Sequence, residues 1–197
     1  MSNINHENLL NILRPVYTTN THVPDGLLMI ESEAPDHRLC WKNFCKLNFD
    51  LEQLLSIYRM LTAGVEHIHS KGIIFRDLHP TRIHCIDGVI KWNLVGMPYN
   101  LKKLIKNIAY TGHLNYTAPE LLKDRQGKAL SQKADIWALG CCFYSLMTKA
   151  DPFLLPAGMR NESAAIKKNI QDGKIDVTGL IETNLSKSHK QIIKTLL

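Results

Sequence analysis

The sequence has no C-x-x-C pair, although its 197 residues include five cysteines. Cys40, Cys45, Cys85 and the adjacent Cys141 and Cys142 cannot all pair within one chain, so a disulfide framework is not expected. The same spacing lacks the paired thiolates of a structural zinc site. A reducing compartment is the simplest reading, which places the chain in the cytoplasm or nucleus. No apolar run is long enough for a bilayer. The densest, Ile136 to Met147, is broken by Gly140 and Ser145, and membrane insertion is not expected. Met1 to His6 has no basic stretch ahead of an apolar one, so no secretory signal is visible. Aromatic residues are few, 7%, and do not alternate with Lys and Arg. The net charge of +6 therefore does not outline a nucleic-acid surface. No repeat, linker or low-complexity tract stands out. What is present is an ordinary apolar share, 45%, enough to exclude wholesale disorder.

Hydrophobic spacing supplies the elements. Asn8 to Ile12 has helix-end or loop character, and Pro15, Pro24 and Gly26 punctuate the stretch after it. Leu27 to Ile30 is a short apolar run suited to a buried strand. From Asp50 to Ser70, Leu51, Leu54, Leu55, Tyr58, Leu61, Val65 and Ile68 recur at steps of three and four, one face of a helix. Asp50 is its expected N-cap and Gly72 its stop. Ile83 to Ile86 and Val89 to Trp92 flank Asp87-Gly88, a hairpin signal. Ser131 to Met147 predicts a second helix, apolar nearly all round and hence buried, with Pro152 closing the region. Amphipathic helices are expected near Ser163 to Gln171 and Ser188 to Leu196.

Several pieces then fall into a known order. The first long helix leads into His67-Ile68-His69-Ser70-Lys71-Gly72-Ile73 and then Phe75-Arg76-Asp77-Leu78-His79-Pro80. The hairpin, Thr117-Ala118-Pro119-Glu120 and Lys133-Ala134-Asp135-Ile136-Trp137-Ala138-Leu139-Gly140 come next. This series resembles the large lobe of a eukaryotic protein kinase, with its H-R-D, D-F-G and A-P-E signatures. His6 to Leu10 and Leu27 to Glu31 are similar to the end of the small lobe and the strand entering the hinge. The resemblance spans essentially the whole chain. It implies an α+β, mainly α fold, with residues 1–34 as a small-lobe and hinge remnant and residues 35–197 as a large lobe. The chain looks cut at both ends, since no G-x-G-x-x-G and no lysine in a V-A-I-K setting occurs.

The resemblance also implies residue roles, and here the sequence departs from the family. Asp77 matches the catalytic base, preceded by Arg76, but His79 stands where the loop lysine belongs. Arg82 replaces the metal-binding asparagine, and a guanidinium cannot ligate a cation. Leu94-Val95-Gly96 aligns with D-F-G, so Leu94 replaces the second metal ligand while Gly96 is retained. Asn93 should face the opposite way, and could substitute only through a bulge. His84 takes the place of the apolar residue under an adenine ring. Asp135 matches the buried aspartate that binds the catalytic-loop backbone, on a helix with Trp137 and Gly140. Pro119 and Glu120 match A-P-E, and Glu120 is expected to be solvated or paired with Arg125 or a lysine. Tyr99, Tyr110, Thr111, Tyr116 and Thr117 read as hydroxyls of the activation-segment loop. His67 and His69 lack metal-ligand spacing, and Cys141 and Cys142 read as inert core residues.

The expected function is therefore that of a pseudokinase, a protein-interaction or scaffold module that engages a protein partner such as an active kinase or signalling protein. Asp77 is then a relic that hydrogen-bonds its own loop or pairs with Arg82. No cofactor is expected. ATP and magnesium belong to the alternative, an active Ser/Thr protein kinase or a fragment of one.

Overall fold

The structure, a computed structural model, describes residues 4–18, 27–33, 47–94, 113–123, 131–153, 162–174, 187 and 190–191. Its main body is two long helices and a β-hairpin. Helix α1 (Leu51–Ser70) begins at Asp50, whose carboxylate accepts from Gln53 N while the Gln53 side chain accepts from Asp50 N. This reciprocal pair satisfies two amides that a helix start leaves open. Gly72, at φ +70, stops the helix in a left-handed conformation that costs glycine little. The buried stripe of α1 is Ile57, Leu61, Gly64, Val65 and Ile68. Leu51, expected on the dry face, is exposed instead.

Strands β3 (Ile83–Ile86) and β4 (Val89–Trp92) pair antiparallel about Asp87-Gly88, both at positive φ as a tight hairpin turn requires. Trp92 is fully buried and its indole Nε1 donates to Leu61 O, fastening the hairpin to α1. Gly64 makes room for this junction. A Cβ there would lie 2.9 Å from both Asn8 O and Trp92 Cδ1. The segment at Asn8 to Leu10, expected to have helix-end or loop character, is a turn and loop bridged to β4 at Leu9. Trp92 N donates to Asn8 O, Leu10 N donates to Trp92 O, and the Asn8 amide donates to Ile90 O.

Ahead of α1, strand β1 (Ile12–Thr18) pairs antiparallel with β2 (Leu27–Ser32). Hydrophobic patterning pointed only to β2. Pro15 argues against a strand, yet a two-stranded ribbon is all edge, where a missing N–H is tolerated.

Helix α2 (Pro119–Lys123) is short, and α3 (Gln132–Thr148) is buried from Ala138 through Met147, as its all-round apolar sequence predicts. It ends at Lys149 in a left-handed conformation, three residues before Pro152. Helix α4 (Glu162–Gln171) comes after it. The helix expected over Ser188 to Leu196 lies almost wholly outside the described residues. Side chains from α1, the hairpin, α3 and α4 form one core that includes Phe75, Leu78 and Leu94. Cys85, Cys141 and Cys142 lie inside it as thiols not joined in disulfides, and burial pushes the last two well above the usual thiol range. They are poor nucleophiles for that reason. No helix among the described residues is long and apolar enough to cross a membrane.

Candidate functional site

The loop between α1 and the hairpin, residues 71–82, carries the site, and Asp135 at the start of α3 holds it in place. Asp135 is 1% exposed. Its Oδ2 accepts from Phe75 N and its Oδ1 from Arg76 N, each at 2.7 Å. His69 Nε2 lies 2.7 Å from Oδ2 as well. Arg76 sits at φ +70, a conformation that a side-chain-bearing residue keeps only when its surroundings compel it. The two amide bonds to Asp135 supply that constraint. Burial draws the Arg76 guanidinium below its ordinary pKa, partly opposed by Asp135, and its NH1 is buried without a hydrogen-bond partner. His69 as a third partner of Asp135 was missed in the sequence, where it appeared only as a helix-end residue. Nothing in local spacing links positions 69 and 135.

Arg82 has turned onto Asp77. Its NH2 is 2.6 Å and its Nε 3.2 Å from Asp77 Oδ2, while NH1 reaches Asn93 O at 3.4 Å. His79 Nε2 lies 3.6 Å from the same carboxylate oxygen. Burial raises the Asp77 pKa, but hydrogen bonds and charge from His79 and Arg82 outweigh it and hold the carboxyl below its ordinary value. Asp77 Oδ1 is buried and has no partner.

This geometry fixes the sign of a pH effect. A carboxyl whose pKa is depressed on folding adds stability above its unfolded pKa, and that stability is lost as pH falls through the folded value. Arg82→Gln is therefore expected to lower stability at neutral pH by up to about 1 kcal/mol, a partly exposed pair being screened by solvent. The difference from the parent chain should shrink as pH falls below the ordinary carboxylate range and disappear once pH has passed the depressed value of folded Asp77. Urea melts across that range read it, and a pH-independent difference would contradict the pairing.

Leu94 is 5% exposed and belongs to the core, so the position aligned with the D-F-G aspartate offers packing and no ligand. Asn93 turns its amide to His84 Nε2 at 3.3 Å, and its backbone N donates to Arg82 O. Burial lowers the His84 pKa and favours the neutral ring. Val95 and Gly96 lie outside the described residues, as do Tyr99, Tyr110, Thr111 and Arg125. Tyr116 closes a single 3-10 turn (Leu114–Tyr116) and Thr117 follows it, and both are buried. Tyr116 Oη donates to Asp151 Oδ1 at 2.5 Å and lies 3.0 Å from Ser145 Oγ, ties to α3 and the turn after it. Burial pushes its phenol far above the usual range. Glu120 is partly exposed and forms no ion pair among the described residues, next to the half-buried Pro119. Trp137 stacks on Phe153 with centroids 6.2 Å apart, and Gly140 is buried in α3.

One neighbour was not foreseen. The His113 ring stacks on His79 with centroids 3.8 Å apart. Burial, His79 and Arg82 lower its pKa, against Asp77 and Asp151. The two histidines are 34 positions apart in sequence, so only the fold brings them together.

The protein kinase domain pattern matches residues 1–197. The chain is 30% identical over 200 residues to the serine/threonine-protein kinase RUNKEL of Arabidopsis thaliana, covering 100% of this chain and 14% of that protein. It is 30% identical over 149 residues to the stress-activated protein kinase jnk-1 of Caenorhabditis elegans, covering 75% of this chain and 31% of that one. The chain thus spans less than a third of the length of these relatives. A crystal structure of Rad53 residues 1–466 in complex with AMP-PNP superposes with a TM-score of 0.71 at 20% identity, over 98% of this chain and 46% of that one. That likeness speaks to the fold.

Proposed function

The chain belongs to the protein kinase family, and we propose that it is a catalytically silent member, a pseudokinase acting as a protein-interaction module. One observation carries the reading. The Arg82 guanidinium is clasped on Asp77, 2.6 Å from the carboxylate, at the position where the family places a metal-binding asparagine. Phosphoryl transfer depends on positioned phosphates and on metal ions that offset their charge. The residues present do not fit a magnesium ion. Arg82 brings a fixed positive charge, and Leu94 is an alkyl group packed in the core. Asp77, already engaged by Arg82, is left without the positioned phosphates that a base would serve.

In this reading residues 1–34 form the small-lobe and hinge portion, and residues 35–197 the large lobe. The partner is a protein, such as an active kinase or signalling protein, met in the cytoplasm or nucleus. The alternative is an active Ser/Thr kinase that transfers the ATP γ-phosphate to a protein hydroxyl. It has in its favour the retained Asp77 and the relatives named as serine/threonine kinases.

A thermal-shift titration with ATP separates the two. A ligand at one hundred times its dissociation constant stabilises by about 2.7 kcal/mol, a readily visible shift. The silent reading expects no stabilisation that depends on magnesium. A melting temperature raised by ATP only when magnesium is present would favour the active enzyme.

A further inference from the structure

We propose that Asp77, His79 and His113 form a site for a late first-row transition metal, with Zn2+ the favoured ion. One ligand atom from each of the three lies within 4.8 Å of the others. Two imidazole nitrogens and a carboxylate oxygen suit zinc and its neighbours, whereas magnesium and calcium want oxygen alone.

Two further features support the assignment. Asp77 Oδ2 is occupied by Arg82, but Oδ1 is buried with no partner, a coordination valence that nothing in the described structure fills. His79 Nδ1 lies 2.7 Å from Thr81 Oγ1. In the metal-free chain Nε2–H points at Asp77; a bound ion displaces that proton to solvent, after which Nδ1–H donates to the hydroxyl and Nε2 offers its lone pair. An outer hydrogen bond of this kind fixes the tautomer and orientation of a ligating histidine.

The ligand atoms must close up to bind. Around zinc they stand about 2.0–2.2 Å from the ion. The two rings now lie face to face, tilted by 22°, so their lone pairs do not yet converge. Rotation of the exposed His113 ring brings its nitrogen inward, while the buried His79 stays as placed. Three protein ligands leave a fourth position for water, the open type of zinc site. The nearby Arg82 opposes the ion with its charge. The repulsion is the same for any divalent ion, but the stronger bonds that zinc makes to imidazole nitrogen outweigh it where magnesium's do not, so this site is compatible with the silent reading and does not depend on it. A bound ion would clip the loop at residues 77–79 to the segment ahead of α2.

The test uses the full chain without any tag, stripped of metal and titrated with Co2+ and then Zn2+. One Co2+ per chain is expected, with a visible d–d absorption band that Zn2+ bleaches as it displaces the weaker-binding ion. His113→Gln should weaken binding at least tenfold while the metal-free chain still unfolds in one cooperative transition, its small stability change from the lost stack on His79 measured separately. His6→Gln should leave binding unchanged, although His6 lies beside His67 with ring centroids 4.9 Å apart. Absence of the band, an unaltered affinity in His113→Gln, or an equal loss in His6→Gln would overturn the assignment.

Discussion

Asp135→Ala is expected to destabilise the chain by on the order of 4 kcal/mol. The substitution strands Phe75 N and Arg76 N, which now donate to the two carboxylate oxygens, and releases His69. A buried donor left without its partner costs about 1–3 kcal/mol, and two are left here. Arg76 would then hold its left-handed conformation with no compensating bond. Asp135→Asn should fall between the parent and the alanine variant, because one oxygen still accepts while the new amide faces a donor. Equilibrium urea unfolding of all three measures the effect. A loss under about 1 kcal/mol for alanine would mean that the loop holds its shape by other means.

Leu94→Asp carries the second large effect. If position 94 were merely a vacated ligand site, a carboxylate would be tolerated there. It is instead part of the core shared with Phe75, Leu78 and Trp92. Removing the leucine and burying a charge should cost about 3–5 kcal/mol. With Arg82 in place, millimolar magnesium should recover none of it. With Arg82→Asn added, magnesium should restore part of the loss, because the opposing charge is gone and two oxygen ligands now stand where the family has them. Magnesium rescue of the single variant would contradict the repulsion assigned to Arg82, and a cost below about 1 kcal/mol would remove Leu94 from the core. Chemical melts with and without magnesium give both answers.

The parts of the molecule that sequence could show are those set by neighbours in the chain. The Asp50 cap, the period of α1, the Asp87-Gly88 turn and the all-round apolar α3 each depend on residues a few positions apart. Strand β1 escaped because Pro15 counts against a strand, and only the two-stranded context makes it acceptable. Ile57 and Gly64 were absent from the expected dry face of α1. The first adds an edge to the stripe, and the second is buried for the sake of Trp92.

Site chemistry divides in the same way. The replacements at positions 79, 82 and 94 were visible because the family resemblance gives each position a role. Their consequences were less visible. The pairing of Arg82 with Asp77, five residues apart, was among the expectations for a relic aspartate, whereas the turn of Asn93 toward His84 and the stacking of His113 on His79 arise from side chains that only the fold brings together. No periodicity encodes such meetings. They also decide the chemistry, since a carboxylate engaged by arginine is a different group from one poised beside a metal.

The most direct test of catalytic silence is a crystal structure of the chain soaked with a non-hydrolysable ATP analogue and magnesium. The account predicts no magnesium ion between the phosphates and the side chains at positions 82 and 94, with Arg82 still on Asp77. A well-ordered octahedral ion bridging the phosphates beside those two residues would contradict it.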